Sequence, residues 1–278
     1  MTNKNYCYFI ISCKKNVKIT CFCVEQLLRE TRSGNIYISF DEKCDIGIND
    51  KRVIVLDKYS EKDSCFGTRI QYSLKCVEEE YVIVMCDDFI VEEVVDESCL
   101  SQLKNYMVLN NKVSSIVLAK TSGKKTSERI MVHYCKYDKF AYFRSTLQCS
   151  IWNKNAFFNL MNDVKSPWEF EIFSNYKTFP SCNLFYALDN DKYQPIKYNR
   201  GSFVIRGKIV EPERKRLEKV LRKEISIEGF ETTDSYKQFS NLCFFDKINR
   251  RIRMHLCSLR YRFQAIFQKT NLNIRAED

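Results

Sequence analysis

The sequence predicts an α/β fold in which a mostly parallel sheet is flanked by helices. The first observation is an unbroken apolar run, Tyr81–Cys86 (YVIVMC), which is typical of a strand buried on both faces. The second is that Ile70, Leu74 and Val77 recur at helical spacing directly before that run. The third is that strand-like and helix-like segments alternate along the first half of the chain. This alternation favours parallel strands joined by crossover helices.

The other elements follow along the chain. Strands are predicted at residues 6–12, 35–40, 52–56 and 113–119, and residues 121–128 read as a polar connection. Asp96 is placed to cap a helix that carries Leu100, Leu103 and Met107 on one face. Further helices are predicted around Val24–Leu28, through Ala156–Leu160, and from Glu211, with Leu217, Val220 and Leu221 as the apolar face of the last.

Composition narrows the class of protein. The 278 residues are 45% hydrophobic and 29% charged, which is typical of a globular chain. The 14 Cys are scattered through apolar runs and only two His are present, so neither a disulfide framework nor a Cys/His metal site is expected. No signal-like segment or bilayer-length apolar run is apparent, and we expect a cytoplasmic protein.

The net charge of +10 is concentrated at the C-terminal end. Residues 201–278 carry 17 Lys and Arg against 10 Asp and Glu. Within them, Lys247–Lys269 has seven basic residues, no acidic one, and apolar residues at three- and four-residue steps. This pattern predicts a basic amphipathic helix that either packs on the rest of the protein or lies on an anionic membrane surface at the inner face of the cell membrane. We therefore divide the chain into a catalytic unit, 1–210, and a basic helical extension, 211–278.

A carboxylate pair, Asp87 and Asp88, directly follows the central strand. Ligands of open α/β sheets bind beyond the carboxyl ends of the strands, and hard cations such as Mg²⁺ bind one or two carboxylates together with substrate phosphates. The pair therefore predicts a divalent-metal site. The alternative is that it only ends the strand and caps the next element. Lys14, in the loop after the first strand, is a candidate phosphate contact.

A second cluster spans residues 142–173. It includes Arg144, Gln148 and both tryptophans of the chain, Trp152 and Trp168, each beside polar groups that could orient a ligand. Either tryptophan could equally be a core anchor. The element closes on Glu171, and if residues 168–171 form a strand, Glu169 points to the opposite face.

Three ordered segments, EYVIVMCDDFI, YFRSTLQCSIWNKNAFFNLM and SPWEFEIF, resemble a family of bacterial glycosyltransferases from surface-polysaccharide (capsule and lipopolysaccharide) clusters. That family shows Asp-Asp-Phe, Ser-x-Gln-x-x-Ile-Trp and Trp-x-Phe-Glu motifs. Upstream, SCFGTRIQYSL is similar to its helix, although a Trp is usual at Cys65, and IRGKIV is similar to a strand near the end of its catalytic unit. The resemblance covers residues 6–210.

The resemblance implies a GT-A-type fold, a Rossmann-like sheet that binds a nucleotide-sugar donor. It further implies that Asp87 and Asp88 hold a divalent metal, Mn²⁺ or Mg²⁺, and that Glu171 is the catalytic base. Gln148, Trp152, Trp168 and Arg144 would contact the substrate, a growing glycan or lipid-linked acceptor.

Two other classes compete with this interpretation. Basic C-terminal helices also occur in nucleic-acid-binding proteins, but the chain lacks interleaved aromatic residues and recognisable nucleic-acid motifs, so a nucleic-acid partner is disfavoured. An inactive GT-A-fold protein that serves only in assembly is the other, and the presence of Asp87, Asp88 and Glu171 argues against it.

Overall fold

The computed structural model describes residues 6–57, 65–199, 203–205 and 207–234, together with five helical positions at 252, 256, 259, 260 and 263. The strands are β1 (Cys7–Ile11), β2 (Ile36–Ser39), β3 (Val53–Leu56), β4 (Tyr81–Cys86), β5 (Val113–Val117), β6 (Lys125–Ile130), β7 (Tyr134–Tyr137), β8 (Ser150–Asn153), β9 (Leu184–Leu188), β10 (Val204–Ile205), β11 (Lys208–Val210) and β12 (Thr232–Thr233). The helices are α1 (Val17–Glu30), α2 (Phe66–Lys75), α3 (Glu97–Leu109), α4 (Lys154–Leu160), α5 (Pro167–Glu169), α6 (Asn175–Lys177) and α7 (Glu211–Leu221). A π-helical turn, Phe170–Ser174, joins α5 to α6.

In the described part of the chain, nine strands form one mixed sheet in the order β3-β2-β1-β4-β8-β5-β9-β7-β6. The first four are parallel, with β1 central between β2 and β4. Only β7 and β8 run against the common direction. The order β3-β2-β1-β4 matches the first four positions of the 3-2-1-4-5-6 strand order of Rossmann-like sheets. The predicted α/β class, with a mostly parallel sheet and flanking helices, is thereby confirmed.

Both faces of the central strands are buried, which explains their continuous apolar sequences. In β1, Tyr8 and Ile10 pack into one hydrophobic cluster, whereas Cys7 and Phe9 pack into the other. Successive strand side chains point to opposite faces, so each face needs its own helical cover. The first cluster takes its cover from α1 and α3 and the second from α2 and α4, through Ile19, Leu27, Leu100, Leu103, Ile70, Leu74, Phe157 and Leu160.

Two local predictions are wrong. The polar connection at 121–128 contains most of β6, which pairs with β7 as an antiparallel hairpin. The strand cannot be recognised from the sequence, because four successive residues of β6 are exposed and apolar and polar residues therefore do not alternate. The strand expected at 168–171 is helical instead. Ser166 accepts a hydrogen bond from the amide of Glu169 (3.2 Å) as N-cap, and Pro167 occupies the first turn, where its missing N–H costs nothing.

The segment after Val210 packs on the same core. Helix α7 buries Leu217 in the first cluster, where Ile225 joins it, but Val220 is 42% exposed and is not part of the apolar face we predicted. Arg216 ion-pairs with Glu92 and Glu213. The predicted helix over 247–269 lies outside the described residues except at the five isolated positions. Within the described residues, every helix is too short or too polar to cross a bilayer.

Candidate active site

The predicted acidic pair lies at the carboxyl edge of the parallel strands. Strand β4 ends at Cys86, and Asp87 and Asp88 occupy the turn that follows. Because β1 and β4 are parallel, Ser12 at the end of β1 reaches the same edge. The residues therefore meet where open α/β sheets bind their ligands.

Asp87 is held by the loop that follows β1. Its Oδ2 accepts hydrogen bonds from Ser12 Oγ (2.9 Å) and Asn16 Nδ2 (3.0 Å), and only 8% of the residue is exposed. Burial raises the pKa of this carboxyl, and the two hydrogen bonds oppose that rise. Ser12 Oγ in turn lies 2.6 Å from Thr20 Oγ1 on α1, which fixes the position of the donor. Asp87 is thus oriented by a network that joins β1, α1 and β4.

Asp88 lies under a different segment. Residues 197–199 run against residues 90–92, with Val91 paired to Tyr198, and this brings the chain back over the edge of the sheet. Burial raises the pKa of Asp88 to about 7, the neighbouring charge of Asp87 adds to the rise, and main-chain hydrogen bonds from Phe203 and Val204 oppose it. Asp88 keeps part of its surface open to solvent, so a ligand can still reach it.

Glu171 belongs to the same acidic group, although it comes from a distant segment. Its Oε1 accepts hydrogen bonds from Thr146 Oγ1 (2.9 Å) and from the amide of Leu147 (3.1 Å). The charges of Asp88, Asp87 and Glu171 together raise the pKa of the Cys86 thiol, after burial as the main cause. Each of the three carboxylates therefore lies within electrostatic range of the Cys86 thiol.

These three carboxylates have no cationic partner in the part of the chain that the structure describes. No described Lys, Arg or His lies within ion-pair distance of Asp87, Asp88 or Glu171. Nor do described residues include a group of three or more side chains arranged to hold a metal by themselves. The oxygen donors present suit a hard cation that takes one or two carboxylates and completes its shell with water and phosphate oxygens.

Gln148 and Trp168, two residues expected to contact substrate, are partly open to solvent. Gln148 Oε1 accepts a hydrogen bond from Tyr198 Oη (2.8 Å), and the Tyr198 ring packs on Phe89 with 4.7 Å between centroids. Gln148 is therefore connected to the residue that follows the Asp pair. Trp168 is 60% exposed and precedes Glu171 by about one helical turn.

Trp152 is a core residue, which corrects its assignment to the substrate pocket. It is fully buried on β8, its indole Nε1 donates to Ser150 Oγ (2.8 Å), and its ring packs against Phe157, Phe170 and Phe185. A ring without exposed surface has no face on which a sugar can stack. The sequence shows Trp beside polar residues, but it does not show that the nearest hydroxyl satisfies the indole.

Lys14 and Arg144 lie in different surroundings. Lys14 follows β1 at the carboxyl edge, as expected, and its exposed ammonium group pairs with Glu42 (2.7 Å). Arg144 is 3% exposed and donates to the main-chain oxygens of Lys139, Thr178 (3.2 Å) and Asn183 (3.1 Å). Since Asn183 precedes β9, this guanidinium group lies toward the opposite, amino edge of the sheet.

Arg69 is a site residue that sequence reasoning missed. Its Nη1 donates to the main-chain oxygens of Ser12 (2.9 Å) and Ser39 (2.8 Å), so one buried cation joins the carboxyl ends of β1 and β2. Burial lowers its pKa, and the charges of Asp41 and Asp87 oppose that change. A basic residue adjacent to Ile70 on the buried side of α2 was the available signal.

No sequence-family profile and no curated protein sequence matches the chain. Among solved structures, the fragment 1–349 of S. aureus TarS is similar at 12% identity and TM-score 0.42, over 66% of this chain and 60% of that one. The same fragment in complex with UDP-GlcNAc gives 12% identity and TM-score 0.42, over 66% and 58%. A 4-diphosphocytidyl-2C-methyl-D-erythritol synthase from Anaerococcus prevotii is similar at 12% identity and TM-score 0.35. The match covers 60% of this chain and 83% of that one. The chain thus spans about three fifths of the TarS fragment.

Proposed function

We propose that this chain is a metal-assisted glycosyltransferase of GT-A type that transfers a sugar from a nucleotide donor to a glycan or lipid-linked acceptor. The observation that carries the proposal is the group of three carboxylates, Asp87, Asp88 and Glu171, at the carboxyl edge of a Rossmann-like sheet without a cationic partner among the described residues. Hydrogen bonds compensate these carboxylates only in part, and a cation bound between them would lower the cost of burying their charge. The resemblance of the surrounding motifs to surface-polysaccharide glycosyltransferases supports the same reaction class.

Asp88 is the better candidate for direct contact with a divalent metal. One oxygen of Asp87 already accepts two hydrogen bonds, from Ser12 and Asn16, which suits a residue that positions the site or binds the metal through water. Burial and the neighbouring charge of Asp87 raise the pKa of Asp88, and a bound cation would oppose both effects. When bound, Mn²⁺ or Mg²⁺ would neutralise the charge that develops on the departing diphosphate.

In this proposal Glu171 takes the proton of the acceptor hydroxyl. Thr146 and Leu147 fix Oε1, whereas Oε2 receives no hydrogen bond from any described residue. A carboxylate held by one oxygen keeps the other available as a base and loses little freedom during the reaction. In an inverting transfer this oxygen accepts the proton as the acceptor oxygen bonds to the anomeric carbon and the nucleoside diphosphate departs.

The surrounding side chains can provide the remaining contacts. The exposed ring of Trp168 offers a face for a sugar of the acceptor, and the amide nitrogen of Gln148 offers a donor, since its oxygen is bound to Tyr198. Lys14 can exchange its exposed pairing with Glu42 for a donor phosphate. Exposed pairs of this kind contribute little stability, so their rearrangement is inexpensive.

The test is a panel of UDP-, GDP- and CMP-linked sugars, measured by thermal shift with and without Mn²⁺. We expect one donor class to raise the melting temperature in the presence of the metal and to have a much smaller effect without it. A protein that is stabilised by single-stranded nucleic acid and by no donor would overturn the proposal and favour a nucleic-acid-binding role.

A further inference from the structure

The buried guanidinium group of Arg144 is not balanced by a carboxylate. Its Nη atoms donate to three main-chain oxygens, those of Lys139, Thr178 and Asn183, and its plane lies over the Phe185 ring, 4.5 Å from the centroid. Carbonyl dipoles compensate a full charge only in part. Burial lowers the pKa of Arg144 to about 10, and the charge of Asp138 opposes this fall only in part.

One donor of this group is left without a partner. The Nε of Arg144 is buried and makes no hydrogen bond, although only 3% of the residue is exposed. The acid whose charge opposes the fall in pKa is Asp138, but its carboxylate accepts from the amide of Phe140 (3.0 Å) and pairs with Lys124 (3.5 Å). An unpaired buried donor on a buried charge costs free energy, so the Arg144 cation is left without full compensation.

A cavity lies beside this group. It has a volume of about 220 Å³ and is lined by Lys136, Tyr137, Lys139, Arg144, Asn183 and Phe185, among others. No Asp or Glu is among the described residues that line it. The Lys136 ammonium is held by Glu128 (2.7 Å), whereas that of Lys139 lies over the Phe140 ring (5.8 Å from the centroid) and has no ion pair with a described residue. Two cationic residues without an ion pair to a described residue, Arg144 and Lys139, therefore line the cavity, together with the ion-paired Lys136.

The cavity is separate from the acidic site. Leu184 begins β9 and Tyr137 ends β7, and β7 is antiparallel to β9. Strands β4 and β5 are both antiparallel to β8, so they run in the same direction, and β9 is parallel to β5. The start of β9, and with it the cavity, therefore lies at the amino edge of the sheet. Asp87 and Asp88 lie at the carboxyl edge, so the two sites can bind ligands independently.

We propose that this cavity, built from Arg144, Lys139 and Lys136, is a binding site for a phosphate group, either as free phosphate or as the phosphate of a small phosphorylated metabolite. The guanidinium group of Arg binds phosphate oxygens through directed hydrogen-bond donors, and the ammonium group of Lys binds them mainly as a point charge. The site takes no part in the proposed transfer reaction, and the two proposals can be tested independently.

The experiment is thermal unfolding of the metal-free full-length protein with inorganic phosphate, at constant ionic strength set by chloride. With millimolar affinity, about 10 mM phosphate should raise the melting temperature by about 3 °C. Parallel arms use glycerol 3-phosphate, to distinguish a phosphate monoester from free phosphate, and acetate, to test whether any carboxylate suffices. The Arg144 Nε–H NMR signal, assigned from its loss in Arg144→Lys, should shift with phosphate.

Lys139→Glu is the main variant, because it reverses a charge at the cavity and retains the main-chain oxygen that Arg144 uses. It should weaken phosphate binding by about tenfold or more. Lys51→Glu is the matched control. It makes the same change of net charge next to β3, which is the edge strand at the other end of the sheet from β7 and β9, and it should leave phosphate binding unchanged. Asp88→Asn should also leave it unchanged, which separates this site from the donor site. Absence of a saturable phosphate effect, an effect that survives Lys139→Glu, or an equal response to acetate would overturn the proposal.

Discussion

The hydroxyl of Thr146 donates to Oε1 of Glu171 over 2.9 Å, and this contact helps to join the predicted acceptor segment to the predicted catalytic carboxylate. The amide of Leu147 donates to the same oxygen over 3.1 Å. The two segments are 25 residues apart in the chain, and this bond makes them one site.

Replacement of Glu171 tests the role of the base. Glu171→Gln keeps the size of the side chain and an oxygen to accept from Thr146, but it removes the basicity. We expect the transfer rate to fall by about a hundred- to ten-thousand-fold while the donor dissociation constant stays near that of the wild type. Glu169→Gln is the matched control, because the carboxylate of Glu169 accepts from the amide of Lys165 (2.8 Å) and not from the acceptor segment.

A purely structural Glu171 would give another result. In that case Glu171→Gln would lower the melting temperature and preserve turnover per folded molecule. Retention of the anomeric configuration in the product, measured by NMR, would separately contradict the assignment of a base on that face.

Thr146 should act by positioning Glu171. Thr146→Ser retains the hydroxyl and should keep nearly full activity, whereas Thr146→Val keeps the shape and removes the donor. We expect Thr146→Val to lower kcat about tenfold with little change in the KM for the donor, because loss of one hydrogen bond to a charged group is worth roughly 1.5–3 kcal/mol at most. Equal kcat in both variants would show that the bond does not orient the base.

Asp88 predicts an unusual dependence of stability on pH for the metal-free protein. Its folded pKa of about 7 lies above the unfolded value of about 3.9, so the folded state retains the proton that the unfolded state loses. The free energy of unfolding should therefore fall as pH rises from about 4 to about 7, by at most about 4 kcal/mol. The neighbouring Asp87 shifts in the same direction, and the pair titrates together.

Urea unfolding at pH 5 and pH 8 measures this effect. Asp88→Asn should reduce the difference between the two pH values, and Mn²⁺ should restore stability at pH 8 in the wild type. A wild-type protein that is more stable at pH 8 than at pH 5 without metal would contradict the burial of an unpaired carboxylate.

The basic C-terminal segment gives a separate prediction. Ile252, Leu256, Leu259 and Phe263 are helical positions with exposures of 51%, 62%, 50% and 57%, and their spacing places them along one side of a helix. We expect anionic vesicles to bind the protein with salt-sensitive affinity. Reversal of Arg250, Arg251 and Arg253 to Glu should release it without loss of the fold. Equal partition of wild type and variant would show that the segment is not a membrane contact.

The central sheet was predictable because its chemistry is local. A strand buried on both faces must be apolar throughout, so β1 and β4 are visible in the sequence, and Asp96 caps α3 as expected by accepting from the amide of Cys99 (2.9 Å). The position of Asp87 and Asp88 at the carboxyl edge followed from the same strand.

Other features depended on contacts between distant segments. The helical form of 167–177 competes with a strand-like alternation, and the cap at Ser166 decides between them. The burial of Trp152 depends on Phe170 and Phe185, which lie far along the chain. The joining of β1 and β2 by Arg69 involves main-chain oxygens, which leave no trace in residue identity.

Calorimetric titration of the donor identified by the panel, with and without Mn²⁺, tests the metal-dependent acidic site most directly. The wild type, Asp88→Asn and Asp163→Asn would be compared; the last is a carboxylate-to-amide change at an exposed loop residue. We predict donor binding that requires the metal in the wild type and in Asp163→Asn, and that is lost in Asp88→Asn although the melting temperature of that variant is equal to or above that of the wild type. Donor binding that persists in Asp88→Asn and in Asp87→Asn, or that needs no metal in the wild type, would contradict it.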